Sequence, residues 1–193
     1  MLALGVSAPD FALTDVVNGT AVSLDTFADK QALLVMFISV HCPFVKHVQA
    51  ELAAIGKDFT SKGLGMIAIS PNDIEKYPDD APEYLAALAH SAPFHFPVCC
   101  DPTQSVAKAY TAACTPDFFL FDRTRTLAYR GQLDESRPSN GKPVTGADLR
   151  QAIASLLAGS TVDPQQHPSI GCNIKWIPDN EPTYFTGIRA EES

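Results

Sequence analysis

The run Ala32-Leu33-Leu34-Val35-Met36-Phe37-Ile38 constrains this chain most. A short stretch with no polar residue suits a strand covered on both faces, and such a strand belongs in the middle of a parallel sheet. Immediately beyond it Phe44, Val45, Val48, Leu52, Ile55 and Phe59 recur at helical spacing, while Lys46, Gln49, Glu51 and Lys57 fall on the other side. That pattern is an amphipathic helix, and Pro43 suits its first position because an N–H there would have no intrahelical partner anyway. Gly63 and Gly65 break the pattern, and Met66-Ile67-Ala68-Ile69 reads as a second buried strand ending at Ser70-Pro71-Asn72.

Further along, the Ala and Leu content of Glu83 to His90 predicts a short helix. Cys99 and Cys100 follow Phe96-Pro97-Val98 on a short strand, where neighbouring side chains face opposite ways, so one thiol is expected buried and the other less so. Asp101-Pro102-Thr103-Gln104 carries a capping Asp and a Pro at the first helical position, predicting a helix through Val106, Ala107 and Tyr110. Asp117 to Asp122 and Leu127 to Arg130, joined by a polar stretch, predict a hairpin of antiparallel edge strands. Thr145-Gly146-Ala147-Asp148 is a capping-box variant before the stripe Leu149, Ala152, Ile153, Leu156 and Leu157, and Gly159 is placed to end that helix. The order predicts an α/β chain of thioredoxin-like fold: a central mixed sheet flanked by helices, a β-α insertion and an extended C-terminal tail. Residues 1–159 are expected to form the domain and 160–193 an irregular extension wrapped on it. Pro164, Pro168, Pro178 and Pro182 oppose a long helix or central strand there, while Trp176, Tyr184 and Phe185 supply apolar adhesion.

At 193 residues and 46% hydrophobic content the chain can bury one substantial core. A net charge of −8 repels a phosphate backbone, so no nucleic-acid partner is expected. The start has no basic segment followed by an apolar run, and no stretch reaches spanning length, so a soluble cytoplasmic chain without a membrane partner is expected. No phosphate-cradling Gly loop and no His-Glu-x-x-His pattern occurs, which leaves nucleotide and metalloprotease chemistry unsupported and no cofactor expected. Asp79-Asp80 and Glu191-Glu192 read as solvated charge pairs. Five cysteines, odd in number and irregularly spaced, do not make the framework of a small secreted domain.

Cys42 lies where the buried strand hands over to the helix, so its sulfur is expected near the orphan N–H groups and positive end of that helix, exposed enough to react. Lys46, His41 and His47 add positive potential, and a setting of this kind favours the thiolate, the species that attacks disulfides and peroxides. The competing interpretation is a small buried hydrophobe.

Several stretches resemble the peroxiredoxin-like redoxins of the thioredoxin superfamily, within the alkyl hydroperoxide reductase/thiol-specific antioxidant group. They are Ala8-Pro9-Asp10-Phe11, His41-Cys42-Pro43-Phe44-Val45-Lys46-His47, Cys114-Thr115-Pro116-Asp117, Tyr129-Arg130-Gly131-Gln132 and Pro168-Ser169-Ile170-Gly171-Cys172. The resemblance implies a thioredoxin-like domain with thiol redox activity. The family motif carries a CxxC pair that would fall on positions 39 and 42, but this chain has Ser39, and Val45 stands where a thioredoxin has its second cysteine. A local disulfide is therefore excluded. By the same resemblance Ser39 would supply the hydroxyl that helps a peroxidase bind peroxide, while the expected arginine falls near Ala128, with Arg130 two residues on.

The resemblance makes Cys114 the leading second thiol, because Thr115-Pro116 is similar to the cis-proline loop that faces the active cysteine and supports a bound substrate strand. Cys172, in the tail, is the alternative resolving thiol if the tail brings it to Cys42. Four functions follow. A thiol-disulfide oxidoreductase would act on protein disulfides, and a peroxidase would form a sulfenic acid at Cys42. A metal-binding module would use Cys42, His41, His47 and His95, though no closed zinc spacing is present and no metal is expected. A redox-inert binding domain would keep only the fold. The expected partners are a protein disulfide or peroxide and a thiol reductant such as thioredoxin or glutathione.

Overall fold

The computed structural model describes residues 2–185. The opening strands β1 (Ala12–Thr14) and β2 (Ala21–Ser23) form a small antiparallel pair. The main sheet follows, built from β3 (Ala32–Phe37), β4 (Leu64–Ser70), β5 (Val98–Cys100), β7 (Asp117–Phe121) and β8 (Leu127–Gly131). Its order is β5-β4-β3-β7-β8, with β3, β4 and β5 parallel and β7 and β8 antiparallel. The apolar run is thus the middle strand.

Four helices flank the sheet: α1 (Pro43–Phe59), α2 (Pro82–Ser91), α3 (Ser105–Ala109) and α4 (Ala147–Leu157). Alternate β3 side chains serve two cores, as the period of a strand requires. Leu34 and Met36 pack with Val48, Leu52 and Ile55 of α1, Leu85 of α2 and Ile153 of α4. Leu33, Val35 and Phe37 pack on the opposite side with Val106, Tyr110 and Trp176. Among the described residues no helix is long and apolar enough to cross a membrane.

Three expectations need correction. The hairpin is not made of two edge strands: β7 pairs with β3 as well as β8, all five of its residues are buried, and only β8 is an edge. The helix expected directly after Asp101 starts at Ser105, with Gln104 at its cap in the left-handed region; the Asp101 carboxylate instead reaches forward to accept the N–H of Ala107 at 2.9 Å. Thr145 does not cap α4 through a box, since the Asp134 carboxylate takes the Thr145 and Gly146 N–H groups at 2.7 Å each.

The tail is anchored at both sides of the sheet's end, though 186–193, including the Glu191-Glu192 pair, lie outside the described residues. Gln166 and His167 lie along the β8 edge, where the Gln166 side chain accepts Arg130 N–H and the His167 carbonyl accepts Gln132 N–H, so this edge is covered. Downstream, the buried Gln104 amide donates to the Pro71 and Lys175 carbonyls (2.7 and 2.9 Å) and accepts Ile177 N–H (2.9 Å). Between these anchors Cys172–Asn173 forms β9, antiparallel to β6 (Cys114–Thr115) with Thr115 opposite Cys172.

Candidate active site

Cys42 is the residue capping α1, with extended backbone, and Pro43 opens the helix. Its sulfur is completely covered. The thiol donates to the Thr115 carbonyl at 3.1 Å, and strand pairing sets Cys172 opposite that same Thr115. The expectation of a reachable sulfur is therefore overturned in this state, and the cause is the tail strand laid over it. Cys172 is partly exposed. Burial first, and then the neighbouring Cys42 thiol, push the Cys172 thiol up to about 11, with the Lys175 ammonium acting in the opposite direction.

Gly171 is what lets β9 come this close. A Cβ built there would lie 2.1 Å from the Thr115 oxygen and 2.6 Å from its carbonyl carbon, so no side chain fits. The Thr115–Pro116 bond is cis, as the resemblance implies. Cys114, beside it, is buried, bonded to the Pro116 carbonyl (3.6 Å), and pushed far above the ordinary thiol range by burial and by Asp117. The tail strand sets Cys172 opposite the Thr115 that Cys42 meets, whereas the Cys114 thiol is engaged with the Pro116 carbonyl. Cys99 is fully buried and Cys100 partly so, as alternation on a strand predicts.

The loop entering Cys42 is fixed by a residue that the sequence offers as a solvated charge. Asp80 has no solvent exposure, whereas Asp79 faces out. Its carboxylate accepts the Ser39 hydroxyl (3.0 Å), Val40 N–H (2.5 Å), the Asn72 amide (2.7 Å) and His41 Nδ1 (2.7 Å). Asn72 then accepts Lys175 N–H at 2.9 Å, which joins this clamp to the tail just past Cys172. His41 is stacked on Tyr77 at 5.6 Å. Asp80 and Asn72 are functional candidates that local sequence does not reveal, because their partners come from other elements.

Ser39 therefore spends its hydroxyl on Asp80 and is itself fully buried. Arg130 sits across β7 from Phe119, level with Val35 and on the side of the second core, while Cys42 belongs to the first. Lys46 is exposed on the outer face of α1. His47 lines a small cleft with Phe44, Pro116, Ser136 and Ile170, and its Nε2 is buried without a partner, as is the Thr115 hydroxyl. Among the described residues no group of three or more His, Cys, Asp or Glu side chains is arranged to hold a metal ion.

Asp117, at the start of β7, is a buried carboxyl raised to about 6 by burial, against the bonds it accepts from Ala113 N–H (3.3 Å) and Phe118 N–H (3.1 Å). A folded value above the unfolded one means that the native state binds more protons in between. The stability from this group is therefore present at about pH 4 and lost as pH rises through about 6. Urea unfolding of wild type and Asp117→Asn should show the wild type gaining on the variant at the acid end of that window; a constant difference would contradict the assignment.

The sequence matches the AhpC/TSA family over residues 4–130. A protein of Mycobacterium tuberculosis strain H37Rv, provisionally named a peroxiredoxin, is 29% identical over 108 residues, 56% of this chain and 63% of its own length. The chain thus spans less than two thirds of that relative. The crystal structure of an uncharacterised conserved protein from Geobacillus kaustophilus aligns with a TM-score of 0.90 at 52% identity, covering 92% of this chain and 94% of that one. The thioredoxin domain of a thiol-disulfide oxidoreductase from Bacteroides vulgatus aligns with a TM-score of 0.57 at 22% identity, over 71% of this chain and 91% of its own, a likeness of fold alone. With the family match extending from the opening strands through the cis-proline loop to β8, this thioredoxin-like chain belongs to the AhpC/TSA family.

Proposed function

We propose that this chain is a thiol-disulfide oxidoreductase whose working pair is Cys42 and Cys172. The observation that carries the reading is that strand pairing sets Cys172 opposite Thr115, the residue whose carbonyl accepts the Cys42 thiol at 3.1 Å, so both thiols meet at one residue without any local CxxC pair. The reaction is a two-electron exchange. Two thiols and a substrate disulfide become a Cys42–Cys172 disulfide and two substrate thiols, one sulfur of the pair first bonding to the substrate and the other displacing it through a mixed disulfide. Cys42 is the nucleophile of the internal step, and Cys114 and Thr115, just before the cis Pro116, carry the strand pairing that aligns Cys172 with it. A protein disulfide is the substrate class, and a thiol reductant such as thioredoxin or glutathione returns the electrons.

The provisional name of the mycobacterial relative supports a peroxidase instead. Two features count against it: the Ser39 hydroxyl is committed to Asp80, and Arg130 lies on the far side of the sheet. A peroxidase without a cation aimed at the developing charge is slow. Side-by-side assays separate the readings. Insulin disulfides should be reduced in a reaction abolished by Cys42→Ser and by Cys172→Ser, while hydrogen peroxide is consumed only slowly. Rapid peroxide turnover that survives Cys172→Ser would overturn the proposal in favour of the peroxidase.

A further inference from the structure

Taking the Cys42–Cys172 pairing as its basis, we infer that outside sulfur compounds exchange with this chain at Cys172, so that the tail strand carries the substrate-facing sulfur and Cys42 is its internal partner. Access is the first ground. Cys42 is wholly covered, and reaching it requires lifting β9 from anchors on both sides, at Gln132 and at Gln104. Cys172 is partly exposed as it stands.

Charge is the second ground. In disulfide exchange negative charge spreads over the three sulfurs, and reactive cysteines sit in partly exposed electropositive places. Cys172 is within the field of Lys175, whereas Cys42 faces the Thr115 carbonyl oxygen at 3.1 Å. In the oxidised pair the two sulfurs are joined to each other, with Cys172 on the more exposed side. An outside thiolate then attacks Cys172 Sγ. A bond forms from the outside sulfur to Cys172, the Cys42–Cys172 bond breaks, and its electron pair leaves on Cys42 at the positive end of α1, where it takes up a proton. A second outside thiolate attacks the first outside sulfur, an outside disulfide departs, and Cys172 takes up the other proton. Run in reverse, the same steps reduce a substrate disulfide.

The test uses oxidised wild-type protein, so that folding of variants is not at issue. Oxidise with diamide, map the disulfide, add glutathione, quench in acid within the turnover time, and locate the adduct by peptide mass spectrometry. The mixed disulfide should sit on Cys172. An adduct on Cys42 with the internal disulfide confirmed overturns this inference alone; no Cys42–Cys172 disulfide at all overturns the proposed function beneath it. As a second readout, with 5,5′-dithiobis(2-nitrobenzoate), Cys172 in Cys42→Ser should be modified at least about ten times faster than Cys42 in Cys172→Ser, with sites assigned by mapping. Equal rates, or a faster Cys42, would contradict it.

Discussion

Gly171→Ala should uncover Cys42. The added methyl meets backbone atoms of Thr115, at 2.1 and 2.6 Å, and neither can swing aside as a flexible side chain does. Overpacking of this kind costs about 1–3 kcal/mol. Relief comes most readily by lifting β9, because its pairing with β6 spans two residues, Cys172 and Asn173, on a tail otherwise held by separate anchors. The open population should rise roughly 5- to 150-fold if the penalty falls on that local opening. Alkylation of Cys42 by iodoacetamide, followed by mass spectrometry of its peptide, reads that population directly. The same variant should form the Cys42–Cys172 disulfide poorly, since the partner strand no longer rests in register. Unchanged alkylation of Cys42 with an unchanged melting temperature would mean that β9 does not control access.

Asp80→Ala should produce the largest loss of stability of any single change at this site. It leaves the Ser39 hydroxyl, Val40 N–H, the Asn72 amide and His41 Nδ1 without their shared acceptor, in a position with no access to water. Removing one partner from a buried charged network costs about 3–5 kcal/mol. At roughly 2–4 °C per kcal/mol for a chain of this size, the melting temperature should fall by about 10 °C. Asp80→Asn keeps one acceptor oxygen and should lose less. The effect should extend to chemistry, because the loop that positions Cys42 and the Asn72 link to Lys175 both run through this carboxylate. A melting temperature within a degree of wild type would contradict the clamp.

How much of this was readable in the sequence divides along the range of the interactions. The strand at Ala32–Phe37 and the helix from Pro43 declare themselves through local periodicity, and α1 begins at the proline where a missing N–H is harmless. The unbroken apolar run Phe118–Phe121 carried the same signal as β3, and the hairpin pattern obscured it: continuous rather than alternating apolar character marks a strand with neighbours on both edges. Asp80 was illegible because a carboxylate beside prolines looks alike whether it faces water or four distant donors. Cys172 was visible as a candidate, yet nothing in a proline-rich tail announces a two-residue strand, and the pairing that brings it to Cys42 depends on Gln104, Asn72 and Gly131 from three other places in the chain. Gly171 was the one local hint, a residue without a side chain placed next to a thiol, where backbones approach closely.

Cys42 and Cys172 should behave as a reversible redox couple. Equilibrate the full chain in buffers of reduced and oxidised dithiothreitol of graded ratio, quench in acid, and quantify the peptide that links the two residues. The disulfide joining Cys42 to Cys172 should appear and vanish reversibly along a two-electron curve, with Cys99, Cys100 and Cys114 remaining thiols. A curve carried by Cys114, or a Cys42 that stays a free thiol at every ratio, would contradict it.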